Sequence, residues 1–122
     1  MKKFLLFALI SMLVLVMSGC FLFNKKPVVE SIGISGSGMK VTLTLSVSDP
    51  DNDPLTVEID WGDGHSDEFS EVTIETVEAT HTYDSTGTYD VVITVSDGKA
   101  VVTLPTLKIS VPFQSESVIL NF

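Results

Sequence analysis

Carboxylates are the most abundant reactive groups in this chain, and they gather in Asp49–Gly64, Asp-Pro-Asp-Asn-Asp-Pro-Leu-Thr-Val-Glu-Ile-Asp-Trp-Gly-Asp-Gly. Asp51 and Asp53 stand two apart in a turn, a spacing that lets both converge on one hard cation. The run Asp49-Pro50-Asp51-Asn52-Asp53 begins like an EF-hand loop. Pro54 replaces the glycine that such a loop requires, however, and strands flank it. Asp60 and Asp63 have the form of a glycosidase pair. Acid–base work needs a cleft that raises one of the two pKa values, and a small domain of strands offers none. His65 and His81 have no cysteine partner and no zinc spacing. His65 follows a turn and is expected at the surface; His81 is expected to pack beside Tyr83. No Gly-x-Ser-x-Gly elbow and no glycine-rich phosphate loop occurs, so the chain is expected not to be an enzyme.

The elements that must position these residues are strands. Leu55, Val57, Ile59 and Trp61 alternate with Thr56, Glu58 and Asp60, a period of two that places the apolar set on one sheet face. Trp61, the single tryptophan, shares that phase and is therefore expected in the core, while Gly62, Asp63 and Gly64 turn the chain. Before it, Val28 to Ile34 reads as a strand, Gly36-Ser37-Gly38 as a turn, and Lys40 to Val47 as a strand of strict alternation. After it, Val72 and Ile74 mark a short strand. The apolar phase then moves to Val77, Ala79, His81 and Tyr83, as two strands or a bulge would require. Asp84 to Gly87 is a turn, Thr88 to Ser96 a strand, Asp97-Gly98 a hairpin signal and Ala100 to Val111 the last strand. Its phase slips around Pro105, which donates no ladder hydrogen bond and so belongs at an edge or a bulge. No helical period follows the N-terminal segment. About seven strands in about 85 residues read as an antiparallel sandwich.

The first residues belong to export. Met1-Lys2-Lys3 is basic, Phe4 to Met17 is almost wholly apolar, and Ser18-Gly19-Cys20 supplies small residues, the layout of a secretory signal. Met17-Ser18-Gly19-Cys20 resembles the lipobox of bacterial lipoproteins. That resemblance implies cleavage of residues 1–19, lipidation of Cys20 and a linker over 20–26. Phe4 to Phe23, about 30 Å as a helix, would also reach across a bilayer uncleaved. Either way the remainder lies outside the cytoplasmic membrane, in the bacterial cell envelope. Cys20 is the only cysteine, so the domain has no internal disulfide. The net charge is −9, and every basic residue is a lysine. A surface this acidic excludes nucleic acid as a partner.

Trp61-Gly62-Asp63-Gly64, His81-Thr82-Tyr83, Gly87-Thr88-Tyr89-Asp90-Val91 and Val95-Ser96-Asp97-Gly98, in that order, resemble the PKD domain over residues 27–111. The resemblance implies an immunoglobulin-like β-sandwich. It also implies structural roles for Trp61, Gly62, Asp63, Gly64, His81, Tyr83, Gly87 and Tyr89. PKD domains of bacterial collagenases bind calcium, which transfers here to Asp51, Asp53 and Asp97, with oxygens near the domain's N-terminus not matched to particular residues. The function implied is a non-catalytic module that binds protein or polysaccharide. The alternative is an accessory subunit of an envelope complex, its tail (112–122) paired with a partner. Val118, Leu120 and Phe122 alternate, as an added strand would.

Overall fold

A computed structural model describes residues 23–73, 75–114 and 117–122. The signal segment, the lipobox with Cys20, and Ile74 lie outside the described residues. Among the described residues the chain forms nine strands. They are β1 (Val28–Ser37), β2 (Lys40–Ser48), β3 (Leu55–Asp60), β4 (Ser66–Val72), β5 (Glu75–Thr82), β6 (Gly87–Ser96), β7 (Val101–Thr103), β8 (Leu107–Val111) and β9 (Val118–Asn121). One sheet has the order β5-β2-β1-β9. The other has β4-β3-β6, with β7 and β8 both beyond β6, and every pairing is antiparallel.

The core follows from the alternation. Ile32, Val41, Leu43 and Leu45 of the first sheet, and Leu55, Val57, Ile59, Val91 and Val95 of the second, are fully buried. Cross-strand pairs such as Val57 with Val95 and Ile59 with Ile93 stack these side chains on the inner face. Burying such a side chain contributes about 1.5–3 kcal/mol. With no internal disulfide, this apolar layer is what stabilises the sandwich.

Nine strands rather than about seven come from a split last strand and an added tail strand, and two of the expected strands differ in extent or placement. β4 is polar, Ser-Asp-Glu-Phe-Ser-Glu-Val, because it is an edge strand that sends only alternate residues inward. The shift of apolar phase near Val77 is the chain leaving one sheet for the other: Val72 pairs with Leu55, whereas Val77 pairs with Leu45. The expected last strand is two pieces. β7 and β8 occupy the same edge of β6, separated by Leu104-Pro105-Thr106. Proline stands at an edge break, where no ladder donor is required. The other addition, β9, pairs with β1 through Leu120 opposite Ile32, so the tail is a strand of this chain's own sheet. The first turn is also tighter than expected. β1 continues through Gly36 and Ser37, and the loop is Gly38-Met39, between Ser37 and its partner Lys40.

Two glycines of the turn after β3 separate two reasons for being glycine. Gly64 has φ +94° and open space where a Cβ would stand; Gly62 has φ +79° and a Cβ there would lie 2.4 Å from the Asp90 carbonyl oxygen. Gly64→Ala is expected to cost about 1–2 kcal/mol, the left-handed penalty alone. Gly62→Ala should cost clearly more, because β6 must also move. Urea denaturation of both variants checks this; equal losses would contradict the close approach.

Candidate functional site

The loops gather polar groups at both ends of the sandwich. Strand register puts them on opposite ends: Thr56 pairs with Ser96 near one, while Asp60 pairs with Val92 and Lys40 with Thr82 near the other.

At the second end, Trp61 leaves β3 fully buried. Its indole Nε1–H donates to Asp67 Oδ2 at 2.9 Å, and its carbonyl accepts from the Tyr83 hydroxyl at 2.9 Å. The Tyr83 ring stacks on Tyr89 with centroids 4.1 Å apart, and Tyr89 Oη–H donates to the Ser85 carbonyl at 2.7 Å. Burial pushes the Tyr83 hydroxyl well above its ordinary pKa, with the charge of Asp63 and the Tyr89 hydroxyl adding to the effect, so it stays a donor. Trp61 is thus the core residue its phase requires, and no face of it is presented to a sugar. Gly87 opens β6 opposite Val111. His81 stacks on the indole at 5.0 Å, and its Nε2 lies 2.7 Å from Asp63 Oδ2. His65 is exposed, as its position after the turn implies, yet its Nδ1 lies 3.3 Å from Asp63 Oδ1. Burial pushes the Asp63 carboxyl up, but the hydrogen bonds from the His81 side chain and the His65 amide, with the His81 charge, hold it below the usual aspartate value.

At the first end, three carboxylates from two loops come within metal-binding reach of one another: Asp49, Asp53 and Asp97. Asp49 and Asp97 are both buried. Asp49 Oδ1 accepts the amides of Asp51 at 2.8 Å and Asp53 at 3.1 Å, which folds the β2–β3 loop around it. Its Oδ2 is buried with no hydrogen-bond partner. Asp53 Oδ2 likewise accepts no hydrogen bond and has Lys99 Nζ at 3.5 Å. Asp97 Oδ1 accepts the amides of Lys99 at 2.8 Å and Ala100 at 2.6 Å, and Oδ2 accepts Asn24 Nδ2 at 2.7 Å. Burial pushes Asp97 up, but those amides, with the Asn24 side chain and the Lys99 charge, hold it below the usual aspartate value.

Of the residues expected to hold calcium, Asp53 and Asp97 meet and Asp51 does not. The Asp51 carboxylate turns outward and accepts the Lys25 amide at 2.7 Å. Asp49 stands in its place. Asn24, expected in a linker, docks on this loop through Nδ2, which donates to Asp97, and its Oδ1 is buried with no hydrogen-bond partner. The oxygens of Asn24, Asp49 and Asp53 that accept no hydrogen bond are hard donors and fit a calcium-sized cation, with the Lys99 ammonium already beside Asp53.

The chain matches the PKD domain family model over residues 24–111. It is 28% identical to the PKD domain of an M14-like peptidase from Thermoplasmatales archaeon SCGC AB-540-F20, with a TM-score of 0.56, covering 75% of this chain and 100% of that one. It is 25% identical to the PKD1 domain of Vibrio anguillarum Epp, with a TM-score of 0.57, covering 74% of this chain and 100% of that one. No match was found among curated proteins.

The two lowered carboxyls set an acid limit. Their folded pKa values lie below the unfolded value of about 3.9, so the unfolded chain binds more protons in that range. The stability they contribute is complete above about pH 4–5 and is lost as pH falls through the lowered values. Melting temperature is expected to drop steadily below about pH 4. Asp97→Asn should be less stable at neutral pH and lose less on acidification. An acid slope unchanged in Asp97→Asn would contradict the assignment.

Proposed function

This chain belongs to the PKD domain family, and from that premise we propose that it is a non-catalytic binding module held in the bacterial cell envelope by lipidated Cys20, engaging a protein or polysaccharide outside the cytoplasmic membrane. The observation that carries the reading is the family match across 24–111, which accounts for the whole sandwich except the tail strand. Non-catalytic character follows from the family, and the side chains agree with it. Asp60 and Asp63 are engaged locally: Asp60 Oδ1 accepts the Gly62 amide at 2.9 Å, and Asp63 is bound to two histidines. The Cys20 anchor rests on the lipobox sequence, and several acyl chains would hold the module stably where one alone binds marginally.

The outer face of the first sheet supports a polysaccharide ligand. Ser31, Ser35, Thr44, Ser46 and Thr76 line an open trough of about 470 Å³ there, with Ile119 of β9 on one side. Hydroxyls of this kind both donate and accept, as sugar hydroxyls do. A glycan array and a pull-down against envelope extracts test the reading. Enrichment lost on Thr44→Lys is expected, and no enrichment in either format would overturn it.

Calcium belongs to the same reading as a stiffener of the loops rather than as the ligand the module presents. Asp49, Asp53, Asp97 and Asn24 would hold it, and it would supply a positive charge to Asp49 Oδ2, which accepts no hydrogen bond. At ten times its Kd the ion would add about 1.4 kcal/mol, or roughly 6–11 °C in melting temperature for a domain of this size. Asp49→Asn should abolish the rise while keeping the Oδ1 acceptor that folds the loop. Asp51→Ala should keep most of it, because that carboxylate faces Lys25. No shift in the parent chain would mean that the aspartates serve the turn alone.

A further inference from the structure

We propose that Asp63, His65 and His81, at the end of the sandwich opposite the oxygen-rich loops, form a second metal site, selective for a divalent first-row transition ion of the zinc, nickel and copper class. Each of the three offers one ligand atom, and the three atoms lie within 4.8 Å of one another. His81 Nε2 is 2.7 Å from Asp63 Oδ2, and His65 Nδ1 is 3.3 Å from Asp63 Oδ1. Ligand atoms about 2.0–2.1 Å from a tetrahedral zinc stand about 3.3 Å apart. These separations bracket that value, so rotation of the side chains is what holding an ion would require.

Two of the ligands are already fixed. Asp63 sits in a turn closed by the Trp61 amide on the His65 carbonyl at 3.0 Å, and its own Oδ1 accepts the His65 amide at 3.1 Å. The His81 ring is held by two neighbours: the Trp61 indole, 18° from parallel, and the Tyr83 ring, which stands nearly perpendicular with centroids 4.7 Å apart. The Asp63 and His81 side chains are only 13% and 14% exposed. His65 is 65% exposed and adaptable, which leaves the remaining coordination positions open to water. The hydrogen bond between Asp63 and His81 is accounted for by the fold, since it joins the β3–β4 turn to β5 of the other sheet. A second imidazole turned onto the other oxygen of the same carboxylate adds nothing to that joint. It completes a donor set of two imidazoles and one carboxylate, and imidazole selects zinc, copper and nickel over calcium and magnesium.

The test titrates the untagged full chain, with calcium present in excess, with Zn²⁺ by calorimetry and with Cu²⁺ by tryptophan fluorescence. Trp61 is the single tryptophan and lies against His81, so a bound Cu²⁺ should quench it. One equivalent is expected to bind. His65→Ala, which alters an exposed side chain and leaves the fold intact by circular dichroism, should weaken binding by at least about ten-fold and abolish the quench at the same Cu²⁺ concentration. Asp49→Asn should bind Zn²⁺ as the parent chain does. Absence of binding in the parent, or binding of undiminished strength in His65→Ala, would overturn the proposal.

Discussion

The hydrogen bond from the Tyr83 hydroxyl to the Trp61 carbonyl fixes how the two sheets meet. Trp61 continues β3 of one sheet, and Tyr83 follows β5 of the other, so a single buried contact ties them together. Its net worth is about 1 kcal/mol, but leaving either buried partner unsatisfied would cost about 1–3 kcal/mol. The contact therefore discriminates against other sheet arrangements more strongly than it stabilises this one. The aromatic rings around it depend on the same placement. Tyr83 stacks on Tyr89 of β6 and stands nearly perpendicular to Trp61 and His81, so β3, β5 and β6 are all referred to one point. Asp67 completes the joint by accepting the indole N–H, which gives the polar edge strand β4 its reason to pair.

The two ends of the sandwich use one device and leave different remainders. Asp49, Asp63 and Asp97 each fold a loop by accepting backbone amides on one oxygen. What the other oxygen meets decides the chemistry. At Asp97 it is taken by Asn24, and the group is satisfied. At Asp63 it meets His81, so imidazole nitrogens become the neighbouring donors. At Asp49 it meets nothing and is buried. Oxygen-only surroundings suit a hard cation, and mixed nitrogen and oxygen surroundings suit a borderline one.

Strands with a buried face were legible in the sequence, because alternation is a direct image of burial. β2 is read almost to its ends, and Trp61 falls in the core on phase alone. β4 was not legible. As an edge strand with Asp67, Glu68 and Glu71 exposed or half-exposed, it has little apolar period to read. It also carries a bulge, with Leu55 opposite Val72 but Val57 opposite Phe69, and Glu71 at φ 57°. The crossing between sheets was visible as a change of phase. Its cause was not, because a bulge and a change of sheet leave the same mark.

The carboxylate cluster was legible in part: Asp53 and Asp97 meet, but Asp49 stands where Asp51 was expected. Two aspartates at Asp51 and Asp53 look like a chelating pair, since adjacency in sequence is all that a motif records. In the folded loop Asp49 lies inside, because its Oδ1 is the centre around which the turn closes, and Asp51 is carried to the rim by that same closure. Asn24 reads as linker because nothing local distinguishes a polar linker from a polar residue docked on a loop 73 positions away. The same limit hid the pairing of His65 and His81. They stand on a turn of one sheet and a strand of the other, so no spacing rule relates them. The Trp61–Tyr83 joint brings those two elements together, and with them the imidazoles.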